Sequence, residues 1–176
     1  VTYSRRCAAN AKNMTGGAVP VAKHAQAIRA ACKAGFHPFN ADTDVLANAS
    51  LESLCLALEA AQAAGSPITV LHLLCHGSRV GSTFGLCLDG KAGAVVIDAA
   101  QLRQALAPFA SMVRLIVLSA CDSGNLGMLG NQLGSVAQAL HRCGFASVIA
   151  SRFPLSVSGS ITLAESFYRE LLSGPA

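Results

Sequence analysis

The chain has 176 residues, 52 % apolar and only 12 % charged, so it is long enough to bury a core and too apolar to be disordered. Its net charge of +4 is scattered, with no basic cluster beyond Arg5 and Arg6, which gives nucleic-acid binding no compositional support. The mean hydropathy is +0.47, yet no apolar run approaches the roughly 18 residues of a membrane helix, so we expect a soluble protein without a membrane partner.

The seven cysteines follow no regular spacing, and several lie inside apolar segments. An odd number of irregularly spaced cysteines fits free thiols in a reducing compartment better than a disulfide scaffold. No signal peptide is visible, and we therefore expect a cytoplasmic protein. Since the chain begins with Val1 and not with methionine, we also expect it to be part of a longer protein.

The N-terminal part divides into a segment without pattern and a first helix. We interpret residues 1–17 as a tail or an incomplete N-terminal edge, followed by one domain over residues 18–176. Pro20 suits the first turn of a helix, and Gly35 marks its end. Apolar residues recur between them at helical spacing: Val21, Ala25, Ile28 and Cys32.

A strand, a helix and a second strand are predicted next. Residues 36–40 have the character of a weak strand. Ser50 can cap a helix, which Gly65 ends. The continuous apolar run over residues 68–75 is typical of a central strand buried on both faces.

The middle of the chain predicts a hairpin followed by a helix and another central strand. Strands over 84–88 and 94–97 flank a turn. Asp98, with Gln101 three residues later, has the spacing of a helix cap. The strand covers residues 113–119.

The last third continues the alternation. A helix that starts at Asn131 ends at Gly144, and a strand covers residues 145–150. Ser158 or Ser160 opens a final helix. Because strands and helices alternate almost throughout, we expect an α/β domain with a mainly parallel sheet.

Two apolar runs stop abruptly at chemically able residues. The run LHLLCHG ends at His76 and Gly77, and the run VLSACDSG ends at Cys121, 45 residues after the histidine. Sites in open α/β sheets form outside the carboxyl ends of parallel strands. A hairpin and one helix separate the runs, enough for a crossover that returns parallel beside its predecessor. If the two strands are neighbours, His76 and Cys121 emerge at one edge.

The chemistry of this pair is nucleophilic catalysis. A thiol is only slightly ionised at pH 7 and needs a neighbouring base or cation. His76 can favour the thiolate of Cys121 and then protonate a leaving amine. The backbone N–H groups of Gly77 and Cys121 can together stabilise an oxyanion.

A metal site is the competing interpretation of the first run. His72, Cys75 and His76 are all ligand types, but strand alternation directs Cys75 away from the two histidines, and no second ligand cluster exists. We therefore expect no metal and no cofactor. For His72 we expect a buried, hydrogen-bonded structural role, and for Cys75 and Cys87 a place in the core. Three other histidines look like surface or helix-end residues: His24, His37 and His141.

Several segments together resemble a known family. LHLLCHG, IVLSACDSG, NQLGSVAQALHRCGFASVIASRFPLS and AESFYRELL look like parts of a CHAT domain, a group of caspase- and separase-like cysteine peptidases. The resemblance runs from about Phe36 to Leu172. It implies a caspase-like three-layer αβα sandwich with a mainly parallel central sheet and a small β-hairpin insertion.

The resemblance also implies roles for residues. Cys121 is then the nucleophile, His76 its partner and the Gly77 amide an oxyanion donor. The segment 150–156 borders the cleft and can pair with an extended substrate as an added strand. Substrate-binding residues are accordingly expected at five positions: Ser119, Asp122, Ser151, Arg152 and Phe153.

The flanks of the cysteine depart from the better-known patterns. Caspases place glycine two residues after the cysteine, whereas Asp122 and Ser123 come before Gly124 here. Metacaspases place aspartate two residues before it, where this chain has Ser119. The preference of caspases or of metacaspases for the residue before the cut can therefore not be transferred to this chain. Arg152 can meet an acidic substrate side chain or pair with Asp122.

The sequence thus predicts a cysteine endopeptidase that acts on proteins or peptides through a thioester acyl-enzyme, regulated by attached sensor domains or an activator protein. The alternative is a catalytically silent caspase-like module that binds peptides or partners. A flavodoxin-like nucleotide binder is disfavoured because no glycine-rich phosphate loop follows the first strand.

Overall fold

A computed structural model of the protein describes residues 2–3, 20–81, 83–120, 135–151 and 156–173. The strands are β1 (Thr2–Tyr3), β2 (Leu46–Ala47), β3 (Val70–Leu74), β4 (His76–Val80), β5 (Thr83–Gly90), β6 (Gly93–Ile97), β7 (Leu115–Ser119) and β8 (Ser147–Ala150). The helices are α1 (Val21–Ala34), α2 (Ala41–Asp44), α3 (Leu51–Ala63), α4 (Ala99–Leu106), α5 (Val136–Arg142) and α6 (Val157–Leu172).

The main sheet has five parallel strands in the order β2-β1-β3-β7-β8. Its two longest strands, β3 and β7, are neighbours whose ladder runs from Val70 opposite Leu115 to Leu74 opposite Ser119. A second sheet contains β4, β5 and β6 in antiparallel order. The expected α/β class and the parallel central sheet are therefore confirmed.

Helices pack on both faces of the main sheet because successive strand side chains point to opposite faces. On one face, Leu71 and Leu73 join the core with α3, α4 and α5. On the other face, Val70 and Val117 join a smaller core with α1 and α6. The sheet is thus enclosed between two helical layers.

Local capping explains where several helices begin and end. The Ser50 hydroxyl accepts a hydrogen bond from the backbone N–H of Ser53 at the start of α3, and Asp98 accepts one from Gln101 at the start of α4. Both are reciprocal capping boxes. Gly144 follows α5 with a φ of 110°, a conformation that glycine adopts without strain. The predicted caps at Ser50 and Asp98 are confirmed.

The N-terminal part differs from the sequence prediction in two places. No element was expected within residues 1–17, but Thr2–Tyr3 form β1, which lies between β2 and β3. Two residues are too few to show a period. The strand expected over 36–40 is wrong: Phe36 has a φ of 57°, in the left-handed region, and a turn leads into α2.

Two other elements differ in extent. The hairpin of β5 and β6 is confirmed, but the insertion is larger than a hairpin because β4 pairs with β5 as a third strand. The final helix begins earlier than expected, with Ser156 as its cap. The helix predicted to start at Asn131 begins later, at Val136, because Ser135 has an extended backbone and caps it; Asn131 itself lies outside the described residues.

Candidate functional site

The carboxyl ends of β3 and β7 lie side by side. Leu74 is paired with Ser119 at the last position of the ladder, and the backbone N–H of Cys75 donates to the Ser119 carbonyl at 3.4 Å. Neighbouring strands are about 4.8 Å apart in the hydrogen-bonding direction. The segments that follow β3 and β7 therefore begin next to each other, at the end of the sheet where the strands have their carboxyl ends.

The register of this ladder matches the spacing of the two candidate catalytic residues. Every pair across it, from Val70 and Leu115 to Leu74 and Ser119, differs by 45 in residue number. His76 and Cys121 also differ by 45, and each follows its strand by two residues. Cys121 itself lies outside the described residues. The two candidates are therefore equally far along the sequence from the last pair of the ladder.

His76 opens β4, where it is half-buried and lies opposite Cys87 of β5. Gly77 follows, opposite Leu86. Since Leu86 and Cys87 are almost fully buried, the second sheet fixes the backbone on which His76 stands. The assumption that His72 and His76 share one strand is wrong, because β3 ends at Leu74 and His76 belongs to the other sheet.

Two of the expected substrate-binding residues lie at this edge. Ser119 ends β7 and is 9 % exposed. The last pair of the β7–β8 ladder is Leu118 and Ala150. Ser119 and the half-buried Ser151 each follow this pair by one residue and therefore lie side by side. Three further expected residues fall outside the described residues: Asp122, Arg152 and Phe153. Their roles stay predictions.

The five cysteines that the structure describes are buried or half-buried. Cys75 and Cys87 are buried, as expected for core residues. Burial raises the pKa of the thiols of Cys32, Cys55 and Cys143, which keeps them protonated at neutral pH. An activated thiol must therefore be sought at the two remaining positions in the sequence, Cys7 and Cys121.

A pair of buried histidines lies on the α1–α6 face of the sheet, and the burial of one of them was not predicted from the sequence. His72 is 1 % exposed and hydrogen-bonded to the Tyr168 hydroxyl at 2.8 Å, which confirms its expected structural role. His24 was expected at the surface, but it is fully buried and forms a hydrogen bond of 3.2 Å with Ser160. The buried positions Ala27, Ile28 and Ala31 lie three, four and seven residues after it, which is the helical spacing that could have revealed its burial.

Among the described residues, no group of three or more histidine, cysteine, aspartate or glutamate side chains is arranged to hold a metal ion. No helix within the described ranges combines the length and apolar character needed to cross a membrane.

The family model described as the CHAT domain matches residues 8–176. No curated protein matches the chain. The matched range includes both strand ends, the second sheet between them and the helices on both faces.

Proposed function

Since the chain belongs to the CHAT domain family, we propose that it is a cysteine endopeptidase with a caspase-like sandwich, acting through a dyad of Cys121 and His76. The observation that carries this proposal is the common register of the two strand ends. The ladder pairs residues 45 apart up to Leu74 and Ser119, and the two proposed catalytic residues continue the same offset.

The proposed reaction proceeds in two halves. Cys121 gives its thiol proton to His76, and its sulfur forms a bond with the carbonyl carbon of the scissile peptide. The C–N bond then breaks, His76 passes the proton to the departing amine, and a thioester remains. Water, deprotonated by His76, attacks the thioester, which releases the new carboxylate and restores the thiol.

The negative charge of the tetrahedral intermediate needs donors beside the sulfur. We assign this role to the backbone N–H groups of Gly77 and Cys121. The second sheet supports the assignment, because Gly77 is part of β4 and its partner strand β5 is anchored by buried residues. Losing one such donor commonly costs about 10² to 10³ in rate.

The substrate is a protein or peptide that binds in extended form beside β8. Within the described residues β8 is an edge strand of the main sheet, and Ser151 follows it directly. An edge strand has backbone groups that can pair with an added strand. We assign contacts with this substrate to the five residues named from the sequence: Ser119, Asp122, Ser151, Arg152 and Phe153.

We further propose that the protein acts in the cytoplasm and that attached sensor domains or an activator protein control the protease. A reducing compartment is supported because no disulfide joins the cysteines that the structure describes.

The first test is proteolysis by matched variants. The purified protein and its Cys121→Ala and His76→Ala variants are incubated with a complex protein mixture, and new peptide termini are identified by mass spectrometry. Both variants should lose cleavage, whereas Cys143→Ala and His141→Ala, altered at the end of α5, should retain it. Undiminished proteolysis by Cys121→Ala would refute the proposal.

The second test needs no activator. A thiol-reactive probe at pH 7 should label Cys121 faster than any other cysteine, and His76→Ala should slow that labelling. Because burial disfavours the five described thiols, Cys7→Ser is the matched control that removes the other candidate. If Cys121 reacts no faster than Cys7 and no cleavage occurs, the chain is a silent peptide-binding module instead.

A further inference from the structure

Two imidazole rings meet where the α1–α6 layer packs on the main sheet. His24 lies on α1 and His72 on β3, and they are 0 % and 1 % exposed. Their ring centroids are 5.4 Å apart, with the planes at 71°. Two histidines from separate elements are therefore in direct edge contact without access to water.

Both rings are tied to the same third element. His24 Nε2 forms a hydrogen bond with Ser160 Oγ at 3.2 Å, and His72 Nδ1 forms one with the Tyr168 hydroxyl at 2.8 Å. Ser160 and Tyr168 both lie on α6. Within the described residues the other nitrogen of each ring, His24 Nδ1 and His72 Nε2, has no hydrogen-bond partner. One hydrogen bond from each ring to an uncharged hydroxyl group therefore connects α1 and β3 to α6.

Among the described residues, no counter-charge contacts the two rings. The other titratable groups near the pair are Cys32, Tyr168 and the N-terminal amino group, and none of them is a carboxylate. β3 and β7 contain no charged residue. Lys23, Glu165 and Arg169 line an open groove of about 720 Å³ between α1 and α6, at the outer surface of the helices. In the described part of the chain, no carboxylate forms a bond with either imidazole.

We propose that the His24–His72 pair is an acid-sensitive clamp, which holds the α1–α6 layer on the sheet while both rings are neutral and releases it when they take up protons. A single protonated ring places an uncompensated charge in an apolar layer, and two place like charges in contact. Opening the layer allows both rings to be hydrated. The clamp is independent of the proposed peptidase activity, because neither ring belongs to the candidate site.

The direction of the pH effect follows from the buried state. Burial lowers the pKa of His24, and burial together with the adjacent His24 and the N-terminal amino group lowers the pKa of His72 to about 3. In the unfolded chain a histidine has a pKa of about 6.5. The stabilising contribution is therefore complete above about pH 6.5 and is lost progressively as the pH falls toward the folded value. Between pH 7.5 and pH 5, His72 alone should raise the unfolding constant about 30-fold, and His24 adds in the same direction.

Urea unfolding at pH 7.5 and pH 5 tests the clamp with variants that leave no buried partner unsatisfied. The double variant His72→Phe with Tyr168→Phe removes both ends of one bond, and His24→Leu leaves Ser160 bonded to the Val157 carbonyl at 2.9 Å. The double variant should lose about 30-fold of the wild-type pH effect on the unfolding constant. His24→Leu should lose part of the effect, and the exposed control His141→Gln should keep all of it. An unchanged pH effect in the double variant would overturn the proposal.

A second measurement on the unaltered protein decides the matter if the variants do not fold. Ring resonances of His24 and His72 are followed by NMR from pH 7.5 to pH 5, together with amide exchange corrected for the intrinsic rate. Both rings should stay neutral in the folded state, and exchange in α1 and α6 should accelerate more than in α3 and α4. Titration of both rings near pH 6.5 in the folded protein, or equal acceleration in both helical layers, would refute the clamp.

Discussion

At the scale of single residues, Leu56 and Leu58 show how strongly the position of a residue on a helix determines its burial and its contribution to stability. They lie two residues apart on α3, yet Leu58 is fully buried against the larger core and Leu56 is 58 % exposed. We expect Leu58→Ala to lower the free energy of unfolding by about 2–5 kcal/mol, because it removes buried methyl groups and leaves a cavity. Leu56→Ala should change it by less than about 1 kcal/mol.

Urea unfolding monitored by circular dichroism measures both values. The two substitutions have the same helix-propensity change, so the difference between them reports burial alone. Equal losses of stability in the two variants would mean that α3 does not pack on the sheet as described.

Residue-scale prediction from sequence succeeds where chemistry marks a position. His72 was expected to be buried because it interrupts an apolar strand, and it is. His24 was expected to be a surface or helix-end residue, although it lies three residues after Val21 and four before Ile28. His24 belongs to the buried face of α1, where Ser160 gives its imidazole a hydrogen-bond partner. The helical spacing could have indicated the burial, but the partner on α6 is apparent only from the structure.

At the scale of elements, the cap of α4 gives a prediction of its own. The Asp98 carboxylate accepts from the Gln101 N–H at 2.8 Å, and the Gln101 side chain accepts from the Asp98 N–H at 3.0 Å. Asp98→Ala removes the acceptor, and we expect it to cost about 1 kcal/mol of stability. Asp98→Asn should cost much less, because asparagine caps helices about as well.

Thermal unfolding of the two variants distinguishes a capping role from a charge effect. Near-identical destabilisation by alanine and asparagine would show that the negative charge, and not the hydrogen bond, stabilises the start of α4.

Elements were predictable from sequence in proportion to their length and local chemistry. α3 and α4 have capping boxes, and β5 and β6 have the alternation and turn of a hairpin. β1 and β2 have two residues each, too few for any periodicity to appear. Residues 36–40 include two phenylalanines, but Phe36 has a left-handed conformation and the residues after it join no strand before Asn40 caps α2.

At the scale of the whole molecule, the candidate site depends on topology more than on sequence proximity. His76 and Cys121 are linked by a whole antiparallel sheet and a helix, and the sequence required only that the two strands be neighbours. The structure pairs β3 with β7 along five residues. This pairing could be anticipated because the segment between the two strands is long enough for a crossover connection between parallel neighbours. The third strand of the second sheet, β4, was not anticipated because HGSRV lacks an apolar pattern.

The position of β1 inside the sheet leads to a prediction for the whole fold. Thr2 and Tyr3 stand between Leu46–Ala47 on one side and Leu73 and Leu74 on the other. Deleting residues 1–3 therefore removes ladder partners from β3 and detaches β2, which leaves backbone groups of β3 without their hydrogen bonds. We expect the amides of β3 to exchange with solvent roughly two- to tenfold faster, the equivalent of about one net hydrogen bond.

Hydrogen exchange followed by mass spectrometry, on the full chain and the shortened one, measures this effect. Leu86 and Leu88 of β5 are the internal control, because the second sheet has no strand in common with the first. Their exchange should stay unchanged while that of β3 rises. Equal protection of β3 in both proteins would mean that the two-residue strand contributes nothing to the sheet, and the edge of the molecule would then lie at β3, next to the strand end that leads to His76.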